Sequence, residues 1–193
     1  MDSLGLKELT LKTLALVALS CSDRGQTIHL LRTDRMTFEE NQIQFVVTAK
    51  IKTTRRVLKP LIVTCIATND PALNVKDHVQ EYIARTQGFR NQGVENSSQL
   101  FLSWKTHKPV CKASISRWLT QVLGLAGIDT SKYKAHSYRG ASVSEAKAKG
   151  ASIKSIMMAG RWKNISTFQN YYEAPNEDSG VGQLILNGVG NYY

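Results

Sequence analysis

The chain has 193 residues, 42% hydrophobic and 21% charged, with a formal net charge of +10. That length suits one hydrophobic core and makes a single domain the default, while no apolar run reaches the length of a membrane span. Three cysteines, Cys21, Cys65 and Cys111, stand far apart and never as a C-x-x-C pair, which argues against a disulfide framework or a zinc site and for a reducing compartment, nucleus or cytoplasm.

The start, "MDSLGLKELTLKTLALVALS", lacks the basic region of a secretion signal. Residues 6 to 20 are apolar at the spacing of a buried helix. "SDRG" at 22 to 25 breaks it, and "QTIHLLR" resumes a helical pattern. The Val- and Ile-rich stretches 42 to 51 and 56 to 67, joined by "KTTR", predict a β-hairpin with a basic tip. "NVKDHVQEYIART" places Val75, Val79, Tyr82 and Ile83 on one helical face. "QLFLSW" (99 to 104) is a candidate third strand. Ser114 can cap a helix carrying Ile115, Trp118, Leu119, Val122 and Leu123, ended near Gly124 to Gly127. Short helices follow: about 135 to 149, stopped by Gly150; 152 to 159, opened by Ser152; and 166 to 173, opened by Ser166. The order gives an α+β fold, mostly helical, with a small three-stranded antiparallel sheet.

Charge is segregated. From Asn41 to Asn69 there are five basic residues and no acid, and between Ser131 and Tyr172 eight Lys or Arg stand against the single Glu145. Such a surface suits a polyanion, because each neutralised phosphate releases condensed counterions. His136 and Arg139 in "AHSYRG" stand at i, i+3 and share a helical face, where they can hold a phosphate. The spacing alone is weak evidence, because His29 and Arg32 in "IHLLR" repeat it inside a leucine-rich stretch that reads as structural.

The context of His136 is fuller. Arg24 lies between two apolar stretches, a basic hairpin with Lys50 and Lys52 follows, then "HSYRG", then Trp162 in "AGRW", then Tyr171 and Tyr172. This ordered set resembles the catalytic domain of the tyrosine recombinases, which include the phage integrases, over about Leu6 to Pro175. "RGQTIHLL", "HSYRGASVSEAKAKG" and "STFQNYYEAP" resemble most the recombinases of eukaryotic mobile elements of the DIRS and Crypton type.

The resemblance implies a DNA recombinase or integrase that cuts and rejoins a phosphodiester through a 3′-phosphotyrosyl link, with no ATP, metal or other cofactor. It implies catalytic roles for Arg24, Lys52 (Lys50 as the alternative), His136, Arg139 and Trp162, the last standing where other members carry histidine. Tyr172 is the implied nucleophile, preceded by an aromatic residue and followed three positions later by Pro175; Tyr171 is the alternative, at the spacing of other family branches. Lys50, Arg55, Arg56, Lys132, Lys134, Arg161 and Lys163 are candidate DNA contacts. The implied partners are double-stranded DNA and further copies of the chain in a tetrameric synapse, with no membrane. Residues 1 to 175 read as the catalytic domain without the N-terminal helical clamp of most members, and 176 to 193 as a tail that can dock in trans. The competing readings are a non-catalytic DNA-binding or assembly module from a truncated or domesticated element, and a relaxing enzyme like the type IB topoisomerases.

Overall fold

The structure is a computed structural model that describes residues 4–49, 60–90, 98–162, 164–166 and 168. The apolar run near the start forms α1 (Leu6–Cys21), the axis of the molecule. Leu9, Leu14 and Val17 are fully buried, and Leu11, Leu16 and Ala18 nearly so. From Thr13 to Ala18 every residue is buried, and such a stretch has to be enclosed on all sides. Strand β3 (Leu61–Ile66) and helices α3 (Val75–Arg90), α4 (Lys112–Leu125) and α5 (Ser137–Ala148) supply that enclosure. Two polar residues of α1 keep partners inside it: the Thr10 hydroxyl donates to the Leu6 carbonyl at 2.6 Å and that of Thr13 to the His78 carbonyl at 3.4 Å.

The sheet is antiparallel, ordered β1 (Met36–Phe38), β2 (Gln42–Val47), β3. Its register pairs Ile43 with Cys65 and Phe45 with Val63. All four are buried, whereas Val46, Ile62 and Ile66 face outward. A slip of one residue would exchange these two sets, so the apolar alternation fixes the pairing. The expected hairpin is therefore present in β2 and β3; its tip, with Lys50, Lys52, Arg55 and Arg56, lies outside the described residues.

The third strand is not the expected one. Residues 99 to 104 make only isolated bridges, Arg32 to Gln99 and Leu102 to Pro109, and β1 completes the sheet instead. Leu100, Phe101 and Leu102 are buried in succession rather than alternately, and side chains from α3 hold their backbone. Arg90 donates to the carbonyls of Gln99 and Leu100, both at 2.6 Å, and the Leu102 amide donates to the Tyr82 hydroxyl at 2.9 Å.

Helix boundaries differ in detail from expectation. The helix resumed after "SDRG" is short: α2 spans Gly25–His29. Cys111, not Ser114, is the N-cap of α4. That helix ends in a left-handed turn at Gly127 (φ 75), where the Ile128 amide returns to the Leu123 carbonyl at 2.9 Å, the six-to-one closure that spares its last carbonyls. In α6 (Ile153–Gly160) the Ser152 cap is as expected, its hydroxyl accepting from the Ser155 amide at 3.1 Å. Residues 165, 166 and 168 are helical, the Phe168 amide donating to the Asn164 carbonyl at 3.3 Å; the rest of the helix expected over 166 to 173 lies outside the described residues.

Candidate active site

Two turns and one helix start build the site. The first turn ends α1: Ser22 is left-handed (φ 50), Asp23 is buried, and Arg24, extended, is the N-cap of α2 and exposed. The second ends α6: Gly160 is buried, Arg161 is left-handed (φ 57) and Trp162 turns back over the helix end. Between them, α5 begins at its N-cap His136 and carries Arg139 in its first turn.

Arg139 joins the two turns. It is 6% exposed, donating Nη1 to the Ser22 carbonyl at 2.9 Å and Nη2 to the Gly160 carbonyl. The Trp162 ring lies against its guanidinium, 3.8 Å from ring centre to Cζ, a cation–π contact that orients both groups. Phe168 braces the far edge of the indole, with centroids 5.5 Å apart and planes at 77°. Arg161 forms a second tie: Nη1 pairs with Asp23 Oδ1 at 2.6 Å and Nη2 donates to the Ile62 carbonyl at 3.1 Å. Burial pushes the Asp23 carboxyl above its ordinary value, countered by Arg161 and then by Arg139. Among the described residues its Oδ2 meets no hydrogen-bond partner of good geometry, although the Thr27 hydroxyl is close enough to favour its charge.

Arg24, His136, Arg139 and Trp162 all border one open cleft of about 660 Å³, together with Lys134. Lys132 is exposed on the same loop. Lys112, Ser116 and Thr120 line it from α4. They repeat at i, i+4 and i+8, a polar row running beside the buried Ile115, Leu119 and Leu123. The cleft thus has four cationic side chains, Arg24, Lys112, Lys134 and Arg139, and one acid, Asp23, engaged by Arg161. Such a wall attracts a phosphate backbone. Among the described residues no group of three His, Cys, Asp or Glu is placed to hold a metal ion. No described helix is long and apolar enough to cross a membrane.

The second H-x-x-R match separates from the first. Arg32 makes a bidentate pair with Asp34, at 2.9 and 2.8 Å, and neither it nor His29 borders the cleft. Tyr138, between His136 and Arg139 in sequence, is buried with its hydroxyl donating to the Leu119 carbonyl at 3.2 Å, and burial pushes its pKa up. Lys50, Lys52, Arg55, Arg56, Lys163, Tyr171 and Tyr172 lie outside the described residues.

A model of the phage integrase family matches residues 2–178, nearly the whole chain. The chain belongs to the phage integrase family. Its fold is that of the tyrosine recombinase catalytic domain, mostly helical with a three-stranded antiparallel sheet. It is similar to the XerH site-specific recombinase bound to its difH substrate before cleavage, with TM-score 0.67 and 14% identity over 90% of this chain and 45% of that one. The XerA recombinase gives 0.66 and 18% over 96% and 58%, and the Tn1549 transposon integrase in complex with circular intermediate DNA gives 0.54 and 14% over 92% and 58%. At these identities the likeness is one of fold. This phage integrase family chain spans about half the length of the solved recombinases it matches, 45% to 58%. No curated protein matches it by sequence.

Proposed function

We propose that this chain is the catalytic part of a site-specific DNA recombinase that cleaves and rejoins duplex DNA through a tyrosine. The observation that carries the reading is convergence: Arg24, His136, Arg139 and Trp162, from three distant stretches of sequence, border one basic cleft. In the reaction the tyrosine oxygen attacks phosphorus, the bond to the 5′-oxygen breaks, and a 3′-phosphotyrosyl link and a 5′-hydroxyl result. The link conserves the bond energy, so rejoining is the same displacement reversed.

Arg24 and Arg139 offset the charge that builds on the non-bridging oxygens. Arginine carries five N–H donors, so the two carbonyl bonds of Arg139 are compatible with a phosphate contact. His136 moves the tyrosine proton, and the indole N–H of Trp162 donates to the phosphate. Lys52, or Lys50 in its place, protonates the leaving 5′-oxygen. Tyr172 is the nucleophile and Tyr171 its packing neighbour; adjacent helical residues point about 100° apart, so one of the two meets the phosphate.

Lys50, Arg55, Arg56, Lys132, Lys134 and Lys163 grip the DNA backbone, while Arg161 is better accounted for by its pair with Asp23. Residues 1 to 175 form the catalytic domain, the tail from 176 docks on a neighbouring copy, and four copies assemble on DNA. Likeness of "RGQTIHLL" and "STFQNYYEAP" to the DIRS and Crypton-type recombinases supports a place among mobile-element enzymes.

The test is covalent trapping on labelled, nicked duplexes, followed by denaturation and mass mapping of the adduct. An adduct on Tyr172, lost in Tyr172→Phe and kept in Tyr171→Phe, is the expected result. The reverse pattern moves the nucleophile to Tyr171. Salt-sensitive DNA binding without any adduct overturns the enzymatic reading in favour of a binding module.

A further inference from the structure

Asp23 has no part in the chemistry just described, yet it is an acid buried in a basic cleft. We infer that Asp23 and Arg161 form a positioning pair that holds the turn carrying Arg24 in register with the turn carrying Trp162. The inference rests on the reading of this cleft as the cleavage site.

The geometry is a double stitch. Arg139 ties Ser22 to Gly160 through two carbonyls, and Arg161 ties Asp23 to its own turn from the other side. Arg161 also anchors that turn to the sheet, through the Ile62 carbonyl. Asp23 immediately precedes Arg24 and Arg161 immediately precedes Trp162. A shift of either partner is therefore transmitted by one peptide unit to a residue of the cleft.

A buried ion pair is weak evidence for stability, because desolvating the charges opposes their attraction. Cys21 from α1, Thr27 from α2, Arg139 from α5 and Arg161 after α6 face the Asp23 carboxyl. Their sum leaves its pKa raised, with burial the largest cause. The ionised carboxylate is thus less favoured in the fold than in the unfolded chain, and it weighs against stability at neutral pH.

The experiment uses the full chain labelled with 5-fluorotryptophan, whose fluorine resonances report Trp104, Trp118 and Trp162, with Trp162→Phe giving the assignment. Asp23→Asn, Arg161→Asn and the double variant are compared; asparagine at 161 tolerates the left-handed backbone there. In Asp23→Asn affinity for a nicked duplex should change little. The Trp162 resonance alone should shift, and single-turnover adduct formation should fall roughly tenfold to a hundredfold, as for a small misplacement of reacting groups. The double variant should be no worse than either single one. The acid limb of the cleavage profile that protonation of Asp23 gives the native chain should vanish in Asp23→Asn. An unmoved Trp162 resonance overturns the pair, as does a joint fall of melting temperature, affinity and all three resonances, which marks structural support alone. If the native chain forms no adduct, the cleavage reading fails, and the Trp162 resonance together with the coupling in melting temperature still decides for or against the pair.

Discussion

At Gly160 a single methyl group would collide with the indole of Trp162, because a Cβ built there falls inside the ring's van der Waals envelope. Relief requires the ring to leave its seat on Arg139. Gly160→Ala should lower stability by about 1–3 kcal/mol, the range for overpacking a tight site, measured by urea denaturation, and should change Trp162 fluorescence. His78 predicts a pH dependence. It is fully buried, Nδ1 donates to the Asn74 carbonyl at 2.8 Å, and Nε2 has no hydrogen-bond partner among the described residues. Burial lowers its pKa from 6.5, more than the Asn74 bond restores. In the window below 6.5 and above the depressed value, the unfolded chain takes up a proton that the fold refuses. Stability should therefore fall as pH drops through that window, and His78→Gln should flatten this part of a denaturation series run against pH.

The central helix sets the element scale. Leu14 is fully exposed to neighbours and not at all to water, so Leu14→Ala should cost about 2–5 kcal/mol by equilibrium denaturation. The helix was legible in the sequence because its apolar residues recur at the spacing of a buried helix. The β2–β3 pairing was legible because its alternation matches the pleat. "QLFLSW" misled because three successive buried residues look like a buried strand, and periodicity does not reveal that Arg90 and Tyr82 hold their backbone. β1, with only three residues and none fully buried, carries too little pattern to stand out. In the site, Arg24, His136, Arg139 and Trp162 were legible as an ordered set. Asp23 was not, since an acid beside an arginine in a Gly-containing turn reads as solvated, and its partner lies 138 positions away. Lys112 was not legible either, since its place on the cleft follows from the packing of α4 against α2, which spacing within α4 does not carry. As a cation of the same cleft as Arg24 it should contact phosphate, so Lys112→Gln should weaken binding to all duplexes alike and reduce the slope of log affinity against log salt by about one.

Across the whole molecule, charge and core occupy different territory: the enclosed α1 carries the stability, and the cleft at its C-terminal end gathers the cations. Arg139 belongs to both. It is a candidate ligand for the scissile phosphate and also the fastener between the ends of α1 and α6. These two duties separate among relatives of the chain. Loss of Arg139 undoes the junction that keeps the two helix ends together, so a relative that has lost every other cation of the cleft should still carry this arginine. Surveying relatives for which cleft cations persist would then separate those kept for folding from those kept for DNA.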